Sequence, residues 1–195
     1  MKFCVYGAAS DTINPIYKDA GFKLGQEMAK RGHSLVFGGG KAGMMGASAR
    51  GIESIGGEII GVAPSFFHVD GILFEGCTQL FETNTMRERK QKMEDLSDGF
   101  IVTPGGIGTI EEFTEMFSLK QLARTNKPLV VLNINHYFDS FFEFIKHAIE
   151  ENFIPEDNLE LFLVTDSIDE ALNYLETYER KDVEISKYRM INNED

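Results

Sequence analysis

The chain has 195 residues and carries 31 acidic against 19 basic side chains, a formal net charge of −12. That length suits one domain with a full core. That charge argues against non-specific attraction to nucleic acid or to an anionic membrane, so an anionic ligand would need local positive charge. No apolar run reaches the roughly 18 residues of a membrane span. The start of the chain lacks the basic stretch and apolar run of a signal peptide. Cys4 and Cys77 form no metal or redox motif, and Cys4, inside an apolar run, reads as a small buried thiol. His33, His68, His136 and His147 lack metal-ligand spacing. These features together describe a cytoplasmic protein with reduced thiols and no metal.

In chain order, Phe3–Tyr6 reads as a first buried strand, ending at Gly7-Ala8-Ala9-Ser10. Asn14-Pro15 starts a helix, with Asn as N-cap and Pro at the first helical position. Tyr17, Ala20, Leu24 and Met28 form its inner stripe, and Gly32 ends it. Ser34–Phe37 is a second strand running into Gly38-Gly39-Gly40-Lys41-Ala42-Gly43-Met44-Met45-Gly46. This glycine-rich turn lacks both the P-loop ending and a clean dinucleotide fingerprint. It reads equally as a phosphate loop or as glycines for close helix–sheet packing. Ile52 and Ile55 close the helix that follows, Gly56-Gly57 stops it, and Glu58–Val62 is a third strand. The stretch from Pro64 to Leu80 reads as an irregular loop able to cover a site. Thr85-Met86-Arg87-Glu88 is a capping-box start for the next helix. Met86, Met93 and Leu96 mark its apolar face, and Arg89 falls on the same face with Lys90 beside it. A charge on an inward stripe needs a partner or must snorkel to solvent.

Gly99–Val102 reads as a buried parallel strand. It leads into Thr103-Pro104-Gly105-Gly106-Ile107-Gly108-Thr109-Ile110-Glu111-Glu112, and then into Phe113, Met116, Phe117 and Leu119–Leu122, spaced as a helix's buried face. This is a strand-to-helix turn at the carboxyl end of a strand, where open α/β sheets place ligands. The glycines let a ligand approach the backbone, and a helix beginning near Thr109 offers unpaired N–H groups and a positive dipole end to a phosphate. Glu111 and Glu112 are read as first-turn residues, which either complement the dipole or belong to a site. Leu129–Leu132 is another strand, with Asn133 and Asn135 behind it read as turn residues. Ser140–Glu143 caps a helix through Ile149, Leu161–Val164 is a late strand, and Ser167–Glu170 caps a last helix through Leu175. Alternating strands and helices predict one doubly wound, Rossmann-like α/β domain over residues 1–178. Its mostly parallel sheet carries helices on both faces, and a polar tail follows over 179–195.

Together these segments resemble the "Lonely guy" (LOG) family of cytokinin riboside 5′-monophosphate phosphoribohydrolases, often labelled lysine decarboxylase-like. Pro104 to Glu112 matches the family's P-G-G-x-G-T-x-x-E signature in full. Met86, Arg89 and Lys90 match its M-H-x-R-K motif, with Arg87 where the family often has His. Gly38 to Gly46 matches G-G-G-x-x-G-L-M-G, with Met44 for Leu. Gly7-Ala8-Ala9-Ser10 departs from the usual G-S-S. The resemblance implies a Rossmann-like fold and a homodimer with sites near its interface. It also implies hydrolysis of the N-glycosidic bond of a nucleoside 5′-monophosphate to free base and ribose 5-phosphate. It assigns Arg89 and Glu112 as the catalytic pair. It gives substrate binding to Ser10, Gly39, Gly40, Gly43, Met86, Lys90, Gly105, Gly106, Gly108, Thr109, Glu111 and Ser118. No cofactor is implied. A decarboxylase would need pyridoxal phosphate on a Schiff-base lysine, and no lysine in the sequence is singled out for that role. The same glycine turns would also serve a binding module without turnover, or a hydrolase releasing a different leaving group.

Overall fold

The structure, a computed structural model, describes residues 1–67 and 71–179. His68 and all of the expected tail beyond Glu179 lie outside the described residues. Seven strands form one sheet in the order β4-β3-β2-β1-β5-β6-β7. They are β1 (Lys2–Tyr6), β2 (Ser34–Phe37), β3 (Ile59–Pro64), β4 (Gln79–Thr83), β5 (Gly99–Val102), β6 (Leu129–Leu132) and β7 (Leu163–Thr165). Every pairing is parallel. Among the described residues, five α-helices connect them, α1 (Pro15–Lys30), α2 (Gly43–Glu53), α3 (Met86–Leu96), α4 (Ile107–Gln121) and α5 (Asp139–Glu150), and α6 (Ile168–Thr177) follows β7; a 3-10 turn, with no α-helix, joins β3 to β4.

The two faces of the sheet are read directly from strand alternation. In β1, Phe3 and Val5 join a core that Leu24 and Met28 of α1, Ile52 of α2 and Leu172 and Leu175 of α6 complete. Cys4 and Tyr6 point the other way, into a core closed by Met93 of α3 and by Phe113, Met116 and Phe117 of α4. Phe141 and Phe142 of α5 extend this second core, and Phe113 meets Phe141, Phe142 and Phe162 edge-on. The helices therefore cover both faces, as a doubly wound sheet requires. The chain winds outward from β1 to β4, then returns to pair β5 with β1. The crevice between the carboxyl ends of β1 and β5 is thus the switch point where such sheets take ligands.

Five local expectations are corrected. Gln79–Thr83 is strand β4, inside and just past the stretch read as loop. It is the sheet's outer edge and mostly exposed, so it shows no apolar run. Met86, in the first position of α3, is 41% exposed, so the face it shares with Arg89 and Met93 is not buried at that end. Helix α4 starts at Ile107 behind an N-cap at Gly106, so Glu111 and Glu112 fall in its second turn. On the same helix Lys120 takes a buried position while Leu122 is exposed. Ser140 lies inside α5, whose N-cap is Phe138. Two ends also shift: Ile55 lies beyond α2, and Leu161 closes a 3-10 turn before β7. The helix starts at Asn14, Thr85 and Ser167 are side-chain caps as expected, with the N–H groups of Ile16, Glu88 and Glu170 donating to them. No helix among the described residues is long and apolar enough to cross a membrane.

Candidate active site

The glycine turn after β5 is held from both sides. The Thr103 hydroxyl donates to the Tyr6 carbonyl at 2.8 Å, and the Ala8 N–H donates to the Pro104 carbonyl at 3.0 Å. The loops after β1 and β5 are thereby fastened together across the switch point. Gly105 has no room for a side chain: a Cβ there would lie 2.1 Å from Thr109 Oγ1. Thr109 is buried against this turn. Gly106 and Gly108 face open space, with nothing within 4 Å of a would-be Cβ. The first N–H groups of α4, which have no intrahelical acceptor, start from this open edge.

Glu112 lies one turn further into α4 than Thr109, on the same face. It is 9% exposed, and Arg89 of α3 is 5% exposed beside it. Arg89 Nη1 donates to Glu112 Oε1 at 3.4 Å, and its Nε donates to the Val62 carbonyl at 3.1 Å. The inward Arg89 is therefore partnered within the protein and does not snorkel. Its place depends on Gly38, where a Cβ would lie 1.9 Å from Arg89 Nη2. Burial raises the Glu112 carboxyl to a pKa of about 7, against the opposing pull of the Arg89 guanidinium. A carboxyl that gains and loses its proton near neutral pH is suited to general acid–base work. The dipole reading weakens, because the field of a helix end falls off beyond the first turn.

Lys90 turns outward from this pair. Its ammonium meets the carboxylates of Glu111 and, at 3.0 Å, Glu115. Burial opposes the charge of Lys90, but the two carboxylates outweigh it and raise its pKa. Met86 is exposed at the start of α3. Ser118 is exposed six residues beyond Glu112, about 9 Å along the axis of α4. The structure thus joins Arg89, Glu112, Thr109 and the glycine turn, and leaves Met86 and Ser118 apart from them.

The turn after β2 is engaged differently. Phe74 N–H donates to the Gly39 carbonyl at 2.8 Å, and Gly40 bridges to Leu73. Gly43 has a φ of +63°, and a Cβ there would lie 2.2 Å from the Ala8 carbonyl oxygen. Its N–H donates to Asp11 Oδ1 at 3.0 Å. These contacts use the turn to seat α2 against the β1 loop and the 71–74 segment.

A cavity of about 560 Å³ opens over the switch point, lined by Ala8, Ala9, Ser10, Ile13, Tyr17, Pro104, Gly105, Gly106 and Tyr137. Ser10 sits at its edge, with its hydroxyl 2.9 Å from that of Thr12. Tyr17, expected on the inner stripe of α1, is half-buried at this cavity, and neither it nor Tyr137 was expected in a site. They lie on α1 and behind β6, and no local pattern links them. Asn133, read as a turn residue, clamps the segment behind β6: its Oδ1 accepts from Phe138 N–H at 2.8 Å and its Nδ2 donates to Asp139 at 2.7 Å.

Residues 45–175 match the family profile described as "Possible lysine decarboxylase". The chain is 34% identical over 177 residues to the rice cytokinin riboside 5′-monophosphate phosphoribohydrolase LOG, covering 91% of this chain and 73% of the relative. It is 35% identical over 177 residues to LOG1 of Arabidopsis thaliana, which carries the same activity name, covering 91% and 83%. The chain belongs to the LOG family. Solved structures similar in fold include the molybdenum cofactor binding protein of Rippkaea orientalis. Its TM-score is 0.68 at 18% identity, over 90% of this chain and 95% of that one. The Moco carrier protein of Chlamydomonas reinhardtii has a TM-score of 0.66 at 21% identity, over 90% and 94%. At those identities the likeness is one of fold. The LOG-family signature residues Pro104 to Glu112 are the ones that build the turn, the open helix start and the buried carboxyl.

Proposed function

We propose that this protein is a phosphoribohydrolase that cleaves the N-glycosidic bond of a nucleoside 5′-monophosphate, of the kind named for its relatives, giving free base and ribose 5-phosphate. The observation that carries the reading is the buried Arg89–Glu112 pair one helical turn behind the open start of α4. The 5′-phosphate sits at the N–H groups of the Gly105–Thr109 turn, where the helix end supplies positive potential in a chain that is otherwise acidic. Thr109 and Ser10 lie at that turn and the cavity edge. The anchored phosphate then presents the ribose toward Glu112.

Breaking the C1′–N bond builds positive charge on the ribose ring, as in glycoside hydrolysis. The carboxylate of Glu112, in a desolvated setting, stabilises that charge more strongly in the transition state than in the ground state. The base nitrogen keeps the electron pair of the broken bond. Water adds its oxygen to C1′, and the proton it loses passes through Glu112 toward the departing base. Arg89 fixes the carboxyl and keeps part of its charge available near neutral pH. Glu111, tied to Lys90, is placed to meet ribose hydroxyls at the outer edge.

The reading includes a cytoplasmic homodimer. Leu80, Met86 and Ile107 are large apolar side chains left exposed on elements that border the site, and an interface there would cover them. Comparing kcat/KM for a nucleoside and its 5′-monophosphate tests the anchoring role of the phosphate. The monophosphate is expected to be preferred by 100-fold or more, on the order of what fixed orientation of a reactant supplies. Equal efficiencies would contradict it.

A further inference from the structure

The peptide groups of the glycine turn differ in what holds them. The Pro104 carbonyl accepts from Ala8 N–H at 3.0 Å, and the Gly106 carbonyl accepts from Ile110 N–H at 3.1 Å. Among the described residues, the Gly105 carbonyl is met instead by a side chain: the Tyr137 hydroxyl donates to it at 2.7 Å. This peptide joins two glycines, so no Cβ resists its rotation. A trans peptide points its C=O and N–H in opposite directions. Fixing the Gly105 carbonyl therefore fixes the direction of the Gly106 N–H, at the open edge of the turn.

Tyr137 is delivered to this position by a segment built for it. Asn135 and His136 adopt φ of 53° and 58°, a left-handed conformation that non-glycine residues adopt at an energetic cost. The Asn133 clamp closes the segment from behind. The Tyr137 ring packs edge-on against Tyr17 of α1 at 5.7 Å and against Phe138 at 5.0 Å. Strain at the two residues directly before Tyr137 persists where the surroundings over-determine it, and such places are enriched in function.

We infer that Tyr137 is a positioning residue that locks the Gly105–Gly106 peptide so that its N–H faces the 5′-phosphate of the substrate, with Tyr17 holding the ring in place. The inference rests on the phosphate reading given above and adds the element that sets the anion-binding geometry. It assigns a task to a hydroxyl that lies 32 residues from its partner in sequence and outside the signature motifs.

The test compares the wild-type protein with Tyr137→Phe, using ribose 5-phosphate and inorganic phosphate as calorimetric probes and steady-state kinetics as a second readout. Loss of this one hydrogen bond is expected to weaken ribose 5-phosphate binding about tenfold. KM for a nucleoside monophosphate should rise by the same factor with kcat within about twofold, the signature of lost uniform binding. The kcat/KM of the unphosphorylated nucleoside should fall by much less than that of the monophosphate. If both proteins bind ribose 5-phosphate equally, this inference is overturned and the phosphate reading stands. Equal losses on nucleoside and monophosphate would also overturn it, since they indicate a general structural role. If the wild-type protein binds neither probe, the phosphate reading fails and takes this inference with it.

Discussion

Replacing Glu112 with Gln keeps the shape of the side chain and removes its charge. Burial has raised this carboxyl from an ordinary pKa of 4.5 to about 7. That rise corresponds to about 3 kcal/mol against the charged form, at 1.36 kcal/mol per pKa unit. The fold tolerates this because Arg89 stands beside the group, 3.4 Å away. The substitution relieves the desolvation of the carboxylate but leaves a buried guanidinium to meet the Val62 carbonyl and an amide oxygen in place of a charge. The two effects oppose each other, so stability should change by no more than about 1–2 kcal/mol. Turnover should respond far more. If the carboxylate stabilises the oxocarbenium-like transition state, kcat falls by roughly 100-fold or more, equivalent to about 2.7 kcal/mol, while the dissociation constant for substrate changes little. Three measurements on one variant separate the explanations: kcat by chromatographic base release, substrate binding by calorimetry, and stability by urea unfolding. A folded Glu112→Gln protein with wild-type kcat would remove Glu112 from the mechanism and refute the reasoning from its burial.

Four further outcomes follow from the structure. Because Glu112 releases its proton near pH 7, kcat/KM should rise with pH through about 7, above the phosphate's own ionisation near 6, and Glu112→Gln should lose that limb; an unchanged profile in the variant would contradict the assignment. For stability the sign is reversed. The folded protein holds the Glu112 proton to about pH 7 whereas the unfolded chain releases it near 4.5, so this group's contribution, in place below pH 4.5, is lost as pH rises toward 7. Gly38→Ala should lower kcat/KM by at least tenfold with a smaller effect on urea stability, because its Cβ would lie 1.9 Å from the movable end of Arg89; wild-type kinetics would show that the position of Arg89 is not needed. Lys120, buried at the far end of α4 with its ammonium donating to the Lys127 carbonyl at 2.8 Å, has a pKa lowered by burial from 10.5 to about 8. Its folded pKa lies below its unfolded one, so wild-type stability should gain up to about 3 kcal/mol relative to Lys120→Met between pH 8 and 10.5; parallel pH dependences would refute this.

The legible parts of the fold were those where burial is complete. Strands β1, β2, β5 and β6 announce themselves as apolar runs because parallel strands are covered on both faces. Strand β4 did not, because an edge strand with Gln79 and Glu82 keeps its polar residues facing solvent. The carboxylate was found through the Pro104–Glu112 signature, but its depth in α4 was misjudged. Three glycines and a threonine suggested a helix beginning at Thr109, whereas Gly106 takes the extended N-cap geometry and the helix starts at once. The Arg89–Glu112 contact was foreshadowed by a charge on an inward stripe. The Tyr137–Gly105 hydrogen bond was not, because it depends on how the segment behind β6 folds over a neighbouring strand end, and no periodicity encodes that. Lys120 was hidden for a related reason: in a helix read from its apolar stripe, a long amine that reaches carbonyl and hydroxyl partners looks like any surface lysine.

The central claim is that this chain turns over nucleoside 5′-monophosphates by water attack at C1′. The direct measurement is incubation of the purified protein with a panel of purine and pyrimidine 5′-monophosphates, cytokinin riboside monophosphates included, with free base and ribose 5-phosphate quantified by chromatography. The account predicts that at least one member yields both products in equal amounts, and that Glu112→Gln abolishes at least 99% of the release, the 100-fold loss given above. Binding of these nucleotides without release of base from any of them would contradict it and leave the protein a nucleotide-binding module.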